Sequence, residues 1–239
     1  AKLRHTGMNT FSNHEILPVI RKSSEKKRKE ENRPHEVLYF HKVDDPYSHL
    51  TIHYVEKLLS NFDISLRPIL VGKENSEAIH EPSLYSIYCL DDAKRIAPYY
   101  GIDFSPETYP HQSLVDLSNS ILTAVDGSSF VEVAKTVSEA LWRGDENTLN
   151  KLSQKYHSTK LDVSQNLKDG NSKRDDKGYY FGSAFYYEKE IYWGVDRIHH
   201  LEDRLAELGV KTGLINEPIC VPSLKSPVSL YSDKKINLY

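Results

Sequence analysis

Residues 36–43 read Glu-Val-Leu-Tyr-Phe-His-Lys-Val, a short apolar and aromatic run that predicts a strand buried on both faces. Asp45 and Pro46 then mark a helix start, because an Asp side chain can accept from free amides and Pro has none to satisfy. Leu50, Tyr54, Val55 and Leu58 recur at helical spacing and predict a helix over 47–60. A second strand follows over 64–71, and Pro68 within it points to an edge or a bulge. Strand, helix and strand make a βαβ unit with a right-handed crossover.

The middle of the chain has a different pattern. Residues 90–100, 114–125, 130–141 and 146–156 each place apolar residues three or four apart, separated by Gly101, Pro106, Pro110, Gly127 and Gly144, and predict four helices. The polar stretch 164–178, containing Asp169-Gly170-Asn171, reads as a loop. Strand character returns at 183–187 and 191–193, joined through Glu188-Lys189-Glu190 as a hairpin. A helix over 195–208 follows, with Ile198, Leu201, Leu205 and Leu208 on one face and Gly209 as its left-handed cap.

The organisation that results is an α/β domain of two pieces, 36–72 and 179–209, around an all-helical insertion at 73–178. A charged arm, 1–35, precedes it. An extended tail, 210–239, carries Pro218, Pro222 and Pro227 and is expected to wrap over the domain or a partner; crossing to a second copy would make a homodimer through the arms.

Composition narrows the function classes. With 239 residues, 38% of them hydrophobic, the chain can form one domain or two. A net charge of -3 and a pI near 6.4 give no general attraction to nucleic acid or anionic lipid. The basic run 21–33 is interrupted by Glu25, Glu30 and Glu31 and reads as a solvated helix or linker. No apolar stretch suits a signal peptide or approaches the roughly 20 residues of a membrane span, so a cytoplasmic protein without membrane or nucleic-acid partners is expected. The chain starts at Ala1, which leaves a removed upstream segment open. Cys89 and Cys220 form no Cys-x-x-Cys or zinc pattern and read as small buried hydrophobes. His199, His200 and Asp203 share a helix without a third ligand, so no metal site is expected.

Four segments speak more specifically. Asp44-Asp45-Pro46-Tyr47-Ser48-His49-Leu50 resembles the Ser-Pro-Tyr segment of kappa-class glutathione transferases and 2-hydroxychromene-2-carboxylate isomerases, in the DsbA branch of the thioredoxin-like fold. Leu66-Arg67-Pro68-Ile69-Leu70-Val71-Gly72 is similar to their second strand. Asp92-Ala93-Lys94-Arg95-Ile96-Ala97, followed by Tyr100-Gly101-Ile102-Asp103-Phe104, resembles the start of their helical insertion. Trp193-Gly194-Val195-Asp196-Arg197 resembles the Gly-x-Asp-Arg that opens their last helix. The resemblance spans roughly residues 36–208 and implies a thioredoxin-like βαβ and ββα fold with a DsbA-like helical insertion.

By that resemblance, Pro46, Tyr47, Ser183, Ala184, Asp196 and Arg197 line a glutathione or substrate site, with Asp196 and Arg197 at the γ-glutamyl end. Read from the residues alone, Asp196 caps the helix and Arg197 pairs on its surface. The chain also departs from the pattern. Asp45 stands where the family has its serine or DsbA its first cysteine, and Ser48 replaces the second cysteine. A carboxylate forms no mixed disulfide and repels a nearby thiolate. Gly182-Ser183-Ala184 stands where the family has Gly-x-Pro with a cis peptide; a cis bond before a non-proline residue costs roughly 2.5 to 4 kcal/mol, so a trans bond is expected.

Three functional readings remain. One is a divergent, non-redox protein that keeps a pocket for glutathione or another small thiol or aromatic ligand, with no covalently bound cofactor. A second is a glutathione-dependent isomerase or transferase in which Asp45 and Ser48 are catalytic, helped by His41 or His49; a helix start favours the charged carboxylate and makes Asp45 a better cap than base. The third is a non-catalytic protein-binding module, favoured by 16 tyrosines, several of them clustered at 179–192.

Overall fold

The computed structural model describes residues 16–73, 79, 81–156 and 161–213. Cys220 and most of the tail therefore lie outside the described residues, as does the whole segment before Ile16. The elements run α1 Ile16–Glu30, β1 Glu36–His41, α2 Pro46–Asn61, β2 Ser65–Leu70, α3 Pro82–Ile96, α4 Gln112–Ala124, α5 Phe130–Arg143, α6 Glu146–Lys155, α7 Val163–Asp175, β3 Ala184–Tyr187, β4 Glu190–Trp193 and α8 Ile198–Glu207. Short 3-10 turns cover Ala97–Tyr100 and Val195–Arg197.

The four strands form one mixed sheet in the order β2-β1-β3-β4. β1 pairs parallel with β2, Glu36 opposite Ser65, and antiparallel with β3, Leu38 opposite Tyr186. β2 is thus an edge strand, which accommodates Pro68 opposite Tyr39. β1 is buried on both faces, as its apolar run requires. Val37 and Tyr39 join the main core with α2, α8 and the insertion, while Leu38 and Phe40 pack with Ile69, Val71 and Ala184 on the other side. The β3–β4 turn places Glu188 and Lys189 at φ 43° and 75°, the positive values that a two-residue hairpin turn requires.

The stretch expected to be a loop at 164–178 is instead α7 over most of its length. Asp162 caps it by accepting from the Gln165 amide at 3.0 Å, and Gln165 reaches Asp169 one turn on. Tertiary contacts hold it: Asn171 accepts the Gly72 amide at 2.9 Å, and Gly170 lies so close to the edge strand that a Cβ there would meet the Leu70 carbonyl oxygen. Only Gly fits that approach. The insertion also holds a helix from Pro82, earlier than the predicted start at residue 90.

The basic run forms α1 and the turn after it, fastened to the hairpin by ion pairs. Arg21 grips Glu190 with two bonds of 2.9 and 2.7 Å, and Arg33 reaches Glu188 at 2.7 Å. Its exposed lysines pair along the helix instead, Lys26 with Glu30. Among the described residues no helix is long and apolar enough to cross a membrane.

Candidate functional site

β1 ends at His41, and the chain turns through Lys42-Val43-Asp44 before α2 opens at Pro46. Asp45 is the N-cap: its carboxylate accepts from the Tyr47 amide at 3.3 Å, the Ser48 amide at 2.8 Å and the Ser48 hydroxyl at 2.7 Å. These bonds satisfy free amides of the first turn. Ser48 is fully buried, and its oxygen accepts from the Lys42 amide at 3.3 Å. Asp45 and Ser48 therefore form one closed hydrogen-bonded unit.

Gly182 lies across this unit from the other half of the fold. A Cβ on it would stand 2.8 Å from Lys42 Cβ and 3.2 Å from both Asp45 Oδ2 and Ser48 Oγ, so the backbone there touches the junction. The next residue, Ser183, is fully buried with φ 56°, and its hydroxyl bonds Thr51 of α2 at 2.7 Å. No cis peptide occurs among the described residues, so the Ser183–Ala184 bond is trans as expected. A left-handed Ser183 thus stands directly before Ala184 in this turn, and the bond to Thr51 holds it there.

The junction opens into a cleft of about 580 Å³ between the sheet end and the insertion. Asp45, Pro46 and Tyr47 line its floor, with Gly182 beside them. One wall is aromatic: Tyr85 of α3 stacks on Phe181 with centroids 5.5 Å apart, Phe181 stacks on Trp193 at 5.4 Å, and Trp193 meets the Tyr47 ring edge-on at 5.3 Å. The Tyr47 hydroxyl donates to Asp92 at 2.8 Å; burial first, and then this bond, hold it protonated far above the ordinary phenol range. Cys89 also lines the cleft from α3 but is only 3% exposed.

The other expected site residues are placed differently. Asp196 and Arg197 fall in the 3-10 turn before α8, each 57% exposed at the side chain, with their charged groups 3.5 Å apart. They are not among the residues lining the cleft, and Asp196 makes no capping hydrogen bond. The half-buried Tyr179 is influenced by both regions: burial and then Tyr180 raise its hydroxyl, and the fields of Asp45 and Asp196 add to this. His41 is 1% exposed, bonded to the Tyr39 hydroxyl at 3.0 Å and pushed down to about 3 by burial. His49 faces α5, where it bonds Ser138 at 2.8 Å. Neither histidine lines the cleft. Residue-type reasoning missed Tyr85 and Phe181; the run Tyr179-Tyr180-Phe181 directly before Gly182 was the available signal. Among the described residues no three His, Cys, Asp or Glu side chains group to hold a metal ion.

No protein-family model matches the chain, and no curated protein matches it. Solved structures do. A 2-hydroxychromene-2-carboxylate isomerase superposes with a TM-score of 0.55 at 17% identity, over 73% of this chain and 96% of that one. The cytosolic disulfide reductase DsbM from Pseudomonas aeruginosa, solved with glutathione, gives 0.46 at 14% identity over 73% and 97%. The first likeness shows the fold, a thioredoxin-like sheet with a DsbA-like helical insertion.

Proposed function

We propose that this DsbA-like thioredoxin fold binds a small thiol or aromatic molecule, glutathione being the leading candidate, noncovalently in the cleft above Asp45 and performs no disulfide exchange there. The observation that carries the reading is the closed Asp45–Ser48 unit. The atom at the position of a nucleophile is a carboxylate oxygen already accepting an amide and a hydroxyl at 2.8 and 2.7 Å. It offers no sulfur to a disulfide, and the Ser48 hydroxyl is committed to Asp45 rather than available to steady a thiolate.

The aromatic wall supports a flat or apolar ligand. Tyr85, Phe181 and Trp193 are held against one another, so a ring inserted beside them adds stacking area at little ordering cost. The size suits the reading, since small-molecule sites commonly occupy about 300 to 1,000 Å³. The resembling isomerase, by its name, acts on 2-hydroxychromene-2-carboxylate. The net charge of -3 favours neither nucleic acid nor an anionic membrane as partner, in keeping with a cytoplasmic location.

Calorimetric titration with reduced glutathione tests the reading. Binding at about 1 mM, roughly -4 kcal/mol, is the expected result. Trp193→Ala and Tyr47→Phe should weaken it, and absence of heat at about 10 mM in the wild-type protein removes glutathione as the ligand. Catalysed insulin reduction would overturn the non-redox reading. Conjugation of 1-chloro-2,4-dinitrobenzene above the uncatalysed rate would replace simple binding with transferase activity.

A further inference from the structure

Besides its aromatic wall, the cleft above Asp45 has a polar side. Gln112, Val115, Asp116 and Asn119 of α4 all line it. Their spacing of three, four and seven positions places them on one face of the helix, so that face is turned to the cleft over about two turns.

Asn119 is the informative residue. It is 8% exposed, and its Oδ1 is buried without a hydrogen-bond partner. Its Nδ2 also bonds no described residue but is not buried, so the donor end of the carboxamide is open on a side chain that lines the cleft. A buried amide held without a protein partner is costly, and a ligand in the cleft supplies the missing bond.

The charges narrow the chemistry of that ligand. Among the described residues the cleft is lined by Lys42, Asp44, Asp45, Lys73 and Asp116. Lys42 pairs with Asp44 at 3.5 Å, and Asp45 is committed to the α2 cap. Lys73 and Asp116 are exposed and have no ion-pair partner among the described residues; Asp116 accepts from the neutral Gln112 amide at 2.8 Å. Lys73 follows β2 by three residues, and α4 packs on that strand. The cleft thus offers an unpaired anion, an unpaired cation and an open amide donor. An α-amino-acid group, with an ammonium and a carboxylate on one carbon, complements all three.

We infer that the α4 side of the cleft holds the α-amino-acid head of the ligand. The ammonium donates to Asp116, and the carboxylate accepts from Asn119 Nδ2 and meets Lys73, while the rest of the molecule runs towards Asp45 and the aromatic wall. The assignment rests on the reading of the cleft as a glutathione site, since the γ-glutamyl end of glutathione is such a head. It puts that end at α4 rather than at Asp196 and Arg197, which do not line the cleft.

Reduced glutathione and glutaryl-cysteinylglycine, which differ only by the ammonium, test the placement when each is titrated against the full chain and followed by backbone chemical shifts. The wild-type protein should bind glutathione about tenfold more tightly, and Asp116→Asn should remove that advantage while leaving the Kd of the glutaryl peptide unchanged. Lys73→Gln and Asn119→Ala should weaken both peptides, and Asp196→Ala neither. Asp116→Asn and Lys73→Gln, at exposed positions, carry the test if the buried Asn119→Ala loses its circular dichroism. Equal affinity for the two peptides, or a glutathione Kd raised by Asp196→Ala and not by Asp116→Asn, would overturn the placement and leave the cleft reading standing. Absence of glutathione binding at about 10 mM would remove the cleft reading and this placement together.

Discussion

Asp45 and Ser48 hold each other across the first turn of α2, with the carboxylate accepting both the Ser48 amide and its hydroxyl. The pair makes this turn a side-chain cap of the helix.

Removing that cap should therefore be measurable as stability. Asp45→Ala is expected to lower the unfolding free energy by about 1 kcal/mol, while Asp45→Asn and Asp45→Ser, which keep an accepting oxygen, lose only a few tenths. Urea melts of the three variants check the order. A loss for Asp45→Ala no larger than for an exposed surface substitution would remove the cap from the account.

Two glycines should respond in opposite ways. Gly170→Ala brings a methyl onto the Leu70 carbonyl and is expected to cost about 1 to 3 kcal/mol or more, because the clash is with backbone. Gly127 has nothing within 4 Å of an added Cβ and no positive φ, so Gly127→Ala should be neutral or stabilise by about 0.4 to 1 kcal/mol. Thermal melts of the pair test whether α7 is truly pressed against β2.

Acid should weaken the fold before carboxylates titrate. Burial lowers His41 and His49 from 6.5 to about 3. Between those values the unfolded chain binds the extra protons, so this contribution is fully present above about 6.5 and declines as pH falls towards 3, by up to about 1.4 kcal/mol per pH unit for each histidine. His35 and His53, also lowered mainly by burial, act in the same direction. Glu25, held down to about 2 chiefly by its bond to Arg28, loses its contribution only as pH falls from 4.5 through 2. Urea midpoints at pH 7, 6 and 5 should fall steadily, and His49→Gln should reduce the slope.

The α1 attachment depends more on Glu190 than on Arg21. Glu190 holds Arg21 and also lies 3.8 Å from Arg204, whose side chain is 8% exposed, so Glu190→Gln leaves a buried guanidinium with less compensation and should cost about 2 kcal/mol. Arg21→Gln, at a side chain 25% exposed, should cost less than about 1 kcal/mol. Proteolytic cutting near Glu30 should increase in the first variant more than in the second.

Much of the fold was legible because its signals were local. The run Val37-Leu38-Tyr39-Phe40, the Asp45-Pro46 start and the stripe Leu50-Val55-Leu58 each encode an element without outside help; the run and the stripe are buried, and Asp45 caps the helix. α7 was not legible in the same way. Its apolar positions are few, Gly170 and Asn171 argue for a turn, and the helix holds because both residues meet the edge of β2. The Asp162-x-x-Gln165 spacing was its only local trace.

The candidate site divides along the same line. Sequence alone determined that the junction carries a carboxylate without a thiol, that this carboxylate can cap a helix, and that Ser183 lacks the neighbouring proline, because residue identity and adjacent backbone settle those matters. Only the tertiary structure decided that Gly182 closes over Asp45 and Ser48, that Phe181, Tyr85 and Trp193 form one wall from three separate segments, and that Asp196 and Arg197 stand exposed outside the cleft's lining. Those relationships join residues up to about 150 positions apart, and no local pattern fixes them; they follow from how the sheet pairs and where the insertion packs on it.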